Sequence, residues 1–243
     1  MLSVLKNLLS IVIPPTCPGC HLPVEKDHTI CPSCWKDLTF ITLPFCDSCA
    51  EPLEVSGDLD QTYICGQCRQ APPKFSQTRS LFKYAGLARR LILSLKHGNA
   101  THLAFGLAEK ACARHSDYIK EADIIIPVPL HWSRLFKRGY NQASLLAKNV
   151  AYNCNKPFHA TLLQRNRRTP SQGKYGKKAR LRNVRSAFNL SKKDQNSIAG
   201  KTVLIVDDVM ASGATLNACA KVLLTAKAKK VKVLVVAKST LIL

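Results

Sequence analysis

The sequence predicts an α/β protein in which a mostly parallel sheet is flanked by helices and preceded by a small Cys-rich segment. Residues 76–243 alternate short apolar runs, typical of buried parallel strands, with segments whose apolar residues recur at helical spacing. Residues 1–75 instead hold eight cysteines in four C-x-x-C pairs and have few long apolar runs. We therefore predict two domains, 1–75 and 76–243, joined at the linker-like stretch QAPPKFSQ.

The strands and helices of the second domain follow from hydrophobic periodicity. Apolar runs predict strands at 80–86, 122–130, 201–208 and 230–240. Helical spacing predicts helices at 87–98, 102–115, 142–152 and 214–228, and in the first of these Leu87, Leu91, Ile92 and Leu95 share one side. A basic loop is expected between the second strand and the helix at 142. Three cysteines lie in these apolar surroundings and are expected to be ordinary core residues: Cys112, Cys154 and Cys219.

Charge is distributed unevenly along the chain of 243 residues, whose formal net charge is +21. Residues 1–75 contain 5 Lys/Arg and 8 Asp/Glu, whereas residues 76–243 contain 31 Lys/Arg and 7 Asp/Glu. The basic second domain favours anionic ligands, either nucleic acid or phosphate-rich small molecules, and the charge alone does not distinguish between them.

The first residues, MLSVLKNLLSIVIPPTC, are largely apolar, as signal peptides and membrane spans also are. They contain no small-x-small cleavage site and are too short to cross a bilayer. Because several apolar residues fall near one helical face, we expect a short docking helix; they are Leu2, Leu5, Leu9, Val12 and Ile13. With no other stretch of membrane-spanning length, we expect a cytoplasmic protein without a membrane span.

The four C-x-x-C pairs have the spacing of zinc knuckles, with ten, eleven and fifteen residues between successive pairs. Two knuckles supply four thiolates to one tetrahedral zinc ion, so we expect two structural zinc ions. Pairing in chain order gives Cys17, Cys20, Cys31 and Cys34 for one ion, and Cys46, Cys49, Cys65 and Cys68 for the other. The spacing also permits interleaved pairing. A disulfide framework is the alternative, but it is typical of secreted chains and no export signal is present.

The stretch VLIVDDVMASGATL, residues 203–216, predicts a ligand site at the carboxyl edge of the sheet, where open parallel sheets bind ligands. Small residues around Gly213 let backbone N–H groups converge, and the helix that follows offers its positive end to a phosphate. Asp207 and Asp208 are acceptors for neighbouring hydroxyls such as those of a ribose. The alternative is a turn-forming Asp and a helix-capping Ser212, but two acids followed by this loop favour a phosphorylated sugar. No Walker lysine pattern occurs.

These residues resemble the phosphoribosyl-pyrophosphate (PRPP) motif of type I phosphoribosyltransferases: four apolar residues, two acids, two apolar residues and a short Ser/Thr/Gly loop. The wider chain resembles the ComF/ComFC/GntX (competence protein F-like) family, which joins a double zinc ribbon to a phosphoribosyltransferase-like domain. Four features carry this resemblance: the C-x-x-C pairs, Leu95-Lys96, the segment 125–147, and R-x-x-x-T-x-x-Q followed by R-x-N-V-x-x-A-F at 165–188.

The resemblance implies specific roles for individual residues. Asp207 and Asp208 would be the catalytic pair that holds the ribose hydroxyls, with Mg²⁺ accompanying the pyrophosphate. The other residues implied in PRPP binding are Ala211, Ser212, Gly213, Ala214 and Thr215 for the 5′-phosphate, and Lys96, Arg134, Arg138 and Gly139 for the pyrophosphate. Met210-Ala211 stands where the family commonly has a β-branched residue and a Thr, so one hydroxyl contact is expected to be missing. Ala179 precedes Arg180 where an acid is common.

The segment 165–185 carries nine Lys/Arg and no acid, and the resemblance implies that it is a mobile flap over the site. Its predicted flap or nucleic-acid residues are Arg165, Thr169, Gln172, Lys174, Tyr175, Arg180 and Asn183. Three interpretations compete: a catalytic flap over PRPP, a single-stranded DNA track on which Tyr175, Phe136 and Tyr140 stack bases, or a solvated loop. The first two are compatible, and the excess of charge favours some nucleic-acid contact.

The resemblance implies a role in natural competence, in which incoming single-stranded DNA is handled during transformation. If the chain is an enzyme, it would transfer a ribosyl-phosphate group to a nitrogen nucleophile and release pyrophosphate. The alternatives are a non-catalytic PRPP sensor or single-stranded-DNA-binding module, or a zinc head that docks a competence helicase. The sequence identifies no acceptor.

Overall fold

A computed structural model describes residues 14–25, 29–54, 61–98, 100–166, 187–190 and 192–240. The predicted docking helix within residues 1–13 lies outside these ranges. Most of the predicted flap also lies outside them: Thr169, Gln172, Lys174, Tyr175, Arg180 and Asn183.

The described elements confirm the predicted alternation of strands and helices. In chain order they are α1 (Pro32–Lys36), α2 (Gly66–Gln70), β1 (Gln77–Lys83), α3 (Gly86–His97), α4 (Leu103–Lys120), β2 (Ile124–Pro127), α5 (Trp132–Arg138), α6 (Gln142–Asn153), β3 (Leu163–Arg165), β4 (Phe188–Leu190), a 3-10 helix (Lys192–Ser197), β5 (Thr202–Met210), α7 (Ala214–Thr225) and β6 (Lys230–Lys238).

A four-stranded parallel sheet with the order β1-β6-β5-β2 forms the centre of the molecule. Side chains alternate between its two faces, as extended chain requires. Leu204 and Val206 of β5 join the cluster that contains α3, α4 and α6, whereas Val203 and Ile205 join the cluster that contains α7. The sheet is therefore covered by helices on both faces, and the predicted fold class is confirmed.

Four described elements in residues 76–243 were not predicted: α5, β3, β4 and the 3-10 helix. The expected basic loop contains α5, which is capped by the His131 side chain accepting the N–H of Ser133 at 3.2 Å and ended by Gly139 at φ +78°. The antiparallel pair β3–β4 flanks residues 167–186. In addition, α4 continues through a kink at His115, where the predicted helix ended, as far as Lys120.

The Cys-rich segment packs directly on the sheet domain. Cys17 and Cys34 are buried in the same cluster as Leu81 and Leu87. Backbone hydrogen bonds join Ile41 N–H to the Leu81 carbonyl at 2.9 Å, and Lys83 N–H to the Thr39 carbonyl at 2.8 Å. Because these bonds use the free edge of β1, the Cys-rich segment covers a sheet edge that would otherwise be open to pairing with other chains.

None of the helices in the described ranges is long and apolar enough to cross a membrane.

Candidate functional site

The eight knuckle cysteines form two separate clusters in chain order. Within each cluster the four sulfur atoms lie within 4.8 Å of one another; the sets are Cys17, Cys20, Cys31 and Cys34, and Cys46, Cys49, Cys65 and Cys68. The Cys20–Cys31 sulfurs are 3.6 Å apart and the Cys49–Cys65 sulfurs 3.7 Å apart. A tetrahedral ion with Zn–S bonds of about 2.3 Å needs sulfurs about 3.8 Å apart, so each set fits one zinc ion. Interleaved pairing is excluded, and four thiolates complete each coordination sphere, as a structural site requires.

Backbone N–H groups support the sulfur ligands as thiolates. Cys31 is the N-cap of α1, and its sulfur accepts the N–H of Cys34 at 3.5 Å. The Ser33 hydroxyl and this N–H lower the pKa of Cys31 to about 6. Cys65 caps α2 in the same way, with its sulfur accepting the N–H of Cys68 at 3.4 Å. The second knuckle of each cluster is therefore the start of a short helix, and at Cys31 the donors favour the thiolate that binds the metal.

The three remaining cysteines occupy the core, as predicted. Cys112 lies in the hydrophobic cluster with α3 and α4, and the half-buried Cys154 packs against it. Cys219 lies in the other cluster, on α7.

The adjacent acids Asp207 and Asp208 lie within β5, which continues two residues beyond them. Asp208 is buried, and its Oδ1 accepts a hydrogen bond from Lys96 Nζ, in the last turn of α3, at 2.8 Å. Its Oδ2 is also buried and has no hydrogen-bond partner among the described residues. A buried carboxylate oxygen that accepts no hydrogen bond is costly, and a ligand hydroxyl is the kind of donor that would satisfy it.

Asp207 is half-buried, and its Oδ1 accepts the backbone N–H of Asp208 at 2.9 Å. Burial and the neighbouring Asp208 carboxylate raise the pKa of Asp207 to about 8, against the lowering effects of Lys96, the Asp208 N–H and Arg165. The site therefore keeps an acid whose ionisation is unfavourable without an added cation or hydrogen-bond donor.

Residues 211–213 connect β5 to α7 as a tight loop, and Ala214 and Thr215 are the first two residues of the helix. Gly213 has φ +70° and precedes α7 as its N-cap, and no side-chain hydrogen bond caps this helix. The left-handed φ of Gly213 disfavours any residue with a side chain, and a Cβ there would also lie 2.7 Å from Cε of the buried Met210, which would have to move. The first N–H groups of α7 lack intrahelical partners, and with the loop they form the type of site that binds phosphate.

Cations on elements distant in sequence act electrostatically on Asp207: Lys96 of α3 and Arg165 of β3 both lower its pKa. Arg165 lies in β3 with its guanidinium 5.2 Å from the ring centre of Phe188. Burial and the nearby charge of Arg134 lower the pKa of Arg165, and the Asp207 carboxylate opposes this effect. The charges of Arg134 and Asp207 thus both act on Arg165, which was predicted as part of the flap.

Two predicted pyrophosphate ligands have structural roles in the short helix α5. Arg138 donates to the side-chain oxygen of Gln142. Gly139 ends the helix in the left-handed conformation, and its N–H donates to the Leu135 carbonyl at 2.7 Å. Lys96, a third predicted ligand, is paired with Asp208, so a pyrophosphate group would approach a cation already engaged with the acid pair.

Two family models match the chain. Residues 8–71 match the double zinc ribbon domain, and residues 138–240 match the phosphoribosyl transferase domain. The first match contains both Cys clusters, and the second contains the acid pair and the loop.

Similar proteins include "DNA utilization protein YhgH" of Escherichia coli O157:H7, which is 29% identical over 222 residues, 89% of this chain and 87% of that protein. "Competence protein F" of Haemophilus influenzae is 29% identical over 212 residues, 85% of this chain and 88% of that protein. "Competence protein ComFC" of Bacillus subtilis is 26% identical over 208 residues, 83% of this chain and 80% of that protein.

A double zinc ribbon match is thus followed by a phosphoribosyl transferase domain match, and the proteins named above align with the chain over most of their length. In both respects the chain resembles the competence protein F-like (ComF/ComFC/GntX) family.

Proposed function

We propose that the chain binds PRPP, with Mg²⁺, at the carboxyl edge of the parallel sheet. The observation that carries this proposal is the buried, unpartnered Oδ2 of Asp208 beside a helix N-terminus without a side-chain cap. A ribose hydroxyl supplies the donor that the carboxylate lacks, and a phosphate supplies the anion that the helix N-terminus lacks. A phosphorylated sugar carries both groups in one molecule.

Each part of PRPP matches a different set of residues. Asp207 and Asp208 accept the two ribose hydroxyls, and the N–H and hydroxyl groups of residues 211–215 bind the 5′-phosphate. The pyrophosphate lies towards the cations Lys96, Arg134, Arg138 and Arg165. Mg²⁺ prefers oxygen ligands and binds through carboxylates together with substrate phosphates, so the acid pair and PRPP fit this ion. When bound, it neutralises charge on the pyrophosphate.

The same contacts favour transfer chemistry if a nitrogen nucleophile is presented to the sugar. The C1–N bond forms as the bond from C1 to pyrophosphate breaks, and the electron pair leaves with the pyrophosphate. The acid pair orients the ribose while C1 gains positive character, and the arginines stabilise the departing charge. A PRPP sensor would use the same binding contacts without this step, and release of pyrophosphate in the presence of candidate acceptors distinguishes the two.

Calorimetric titration with PRPP and Mg²⁺ tests the proposal. We expect wild-type protein to bind, and Asp207→Asn to weaken binding by on the order of 100-fold, about 2.7 kcal/mol, because the amide replaces one carboxylate oxygen with a donor and cannot carry the charge that strengthens a hydrogen bond from a ribose hydroxyl. Asp117→Asn is the control, because Asp117 is exposed and lies near the end of α4, just before β2 begins. It is therefore near the amino ends of the parallel strands, away from the proposed site at their carboxyl ends. Equal affinity in wild type and Asp207→Asn, or no binding by wild type, would refute the proposal.

Single-stranded nucleic acid is a second candidate ligand, favoured by the surface of α5. Trp132 and Phe136 are 70% and 91% exposed, and no residue of this helix is buried. They belong to a segment, 124–193, that contains sixteen Lys/Arg and no Asp or Glu. Proteins that bind single strands combine cations along the backbone with aromatic rings on which bases stack. Tyr140 was also predicted to stack a base, but its hydroxyl donates a hydrogen bond to the Leu95 carbonyl at 2.6 Å, which holds the ring in place.

We expect Phe136→Ala and Trp132→Ala each to weaken binding of an oligothymidine by about tenfold, the lower part of the range for one stacked base. Both side chains are exposed, so the melting temperature should stay within about 2 °C of wild type. Fluorescence anisotropy at several salt concentrations measures the affinity and its electrostatic part. Tyr152→Ala is the matched control, because this ring is 80% exposed at the far end of α6. Equal losses in all three variants would contradict a stacking site on α5.

A further inference from the structure

A buried lysine contacts the first of residues 211–215, which comprise the loop and the first two residues of α7. Lys238 is the last residue of β6, opposite Met210 of β5, and is 4% exposed. Its Nζ donates to the Ala211 carbonyl at 3.3 Å and to the Ser239 carbonyl, and it pairs with Glu51 Oε2 at 2.9 Å. The ammonium group thus joins the first residue of the loop to a carboxylate of the Cys-rich segment.

The backbone of Glu51 is held by hydrogen bonds with residues of the second zinc site. Glu51 follows Cys49 by two residues, in a turn where the Ala50 N–H donates to the Cys46 carbonyl at 2.7 Å. The Cys46 N–H in turn donates to the Glu51 carbonyl at 2.8 Å. Binding of a metal ion by Cys46 and Cys49 closes this turn, so the backbone of Glu51 is fixed by the same residues that form the zinc site.

The linker after this zinc site makes two more contacts with the loop and α7. The backbone N–H of Lys74 donates to Oδ1 of Asn217, in the first turn of α7, at 2.5 Å. The buried ring of Phe75 lies 3.6 Å from the position of a Cβ on Gly213. Glu51, Lys74 and Phe75 therefore connect the second zinc ribbon and the linker to the loop and the first turn of α7, although none of the three was among the predicted site residues.

We propose that Glu51 and Lys238 are positioning residues that hold residues 211–215 in the phosphate-binding conformation. The second zinc site, which fixes Glu51, would therefore contribute to ligand binding. This inference rests on the proposed sugar-phosphate site. The loop consists mainly of small residues with few side-chain contacts of their own, so the ion pair and the Ala211 hydrogen bond supply its anchor. Without that anchor the ligand must order the loop itself, and affinity falls.

Glu51→Gln, Lys238→Met and the double variant test the proposal against a matched control, Asp47→Asn. Asp47 also belongs to the second zinc ribbon and forms an ion pair of similar exposure, with Arg79 at 2.7 Å, but its partner lies on β1. We expect Glu51→Gln and Lys238→Met each to weaken PRPP binding by on the order of tenfold, and the double variant to lose less than the product of the two. Asp47→Asn should lower the melting temperature and leave the affinity unchanged.

Hydrogen exchange of residues 211–215 in the absence of ligand separates this inference from the proposed function. Faster exchange in Glu51→Gln and Lys238→Met than in Asp47→Asn supports the anchor even if wild type fails to bind PRPP, in which case only the ligand assignment falls. Exchange equal to that of Asp47→Asn, or a loss of affinity no greater than in that control, would show that the pair serves general stability and overturn the proposal.

Discussion

Replacing Cys34 with serine is expected to release one zinc ion and to lower the free energy of unfolding by at least about 3 kcal/mol. Cys34 is 5% exposed and lies in the larger hydrophobic cluster with Leu81 and Leu87. Its sulfur lies 2.7 Å from the position that a Cβ on Gly19 would occupy, so the first knuckle packs tightly against it. Loss of this ligand therefore disturbs both the metal site and the cluster that joins the ribbon to the sheet.

Urea denaturation and the zinc content by native mass spectrometry measure this effect. Cys154→Ser is the matched control, because this half-buried thiol lies outside both Cys clusters and its replacement should cost less than about 1 kcal/mol. Wild type and the control should each retain two zinc ions, and Cys34→Ser one. Two retained ions and wild-type stability in Cys34→Ser would mean that Cys34 is not a ligand.

Sequence patterns predicted the parts of the fold that depend on local periodicity. β5 and β6 are nearly continuous apolar runs because both faces of the sheet are covered, and α3 shows one apolar side because only that side is buried. α5 gave no such signal, since none of its residues is buried. The strands of the β3–β4 pair are three residues each, too short for an alternation to be recognised.

In the candidate site too, local sequence patterns predicted some features, whereas features that depend on tertiary packing were not predicted. The acid pair, the loop and the knuckle cysteines are contiguous motifs, so their chemistry was predictable from spacing. The ion pair of Lys96 with Asp208, the effect of the Asp207 charge on Arg165, and the Glu51–Lys238 ion pair each involve residues far apart in sequence. These interactions depend on how α3, β3 and the second ribbon pack, which no local pattern specifies.

The two adjacent acids are expected to affect stability in opposite directions. Asp208→Asn should lower the free energy of unfolding by about 2 kcal/mol at pH 7, because Lys96 loses a charged partner in a largely buried pair. Asp207→Asn should raise it by about 1–3 kcal/mol, because burial and the neighbouring carboxylate make ionisation of Asp207 unfavourable in the folded state. Urea denaturation of both variants without ligand measures the difference.

The effect of Asp207 on stability should depend on pH with a definite sign. The pKa of this acid is raised in the folded protein, from an ordinary value near 4 to about 8. Below about pH 4 Asp207 is protonated in both the folded and the unfolded state, so it has no effect on stability. Between about pH 4 and pH 8 only the unfolded state releases the proton, which lowers its free energy, so the free energy of unfolding falls as the pH rises. The advantage of Asp207→Asn over wild type should therefore grow from pH 6 to pH 8, by at most about 1.4 kcal/mol per unit, and then level off. A constant difference across this range would mean that Asp207 is already ionised. A growing one would mean that the fold carries an unfavourable acid, which bound Mg²⁺ or a ribose hydroxyl is suited to stabilise.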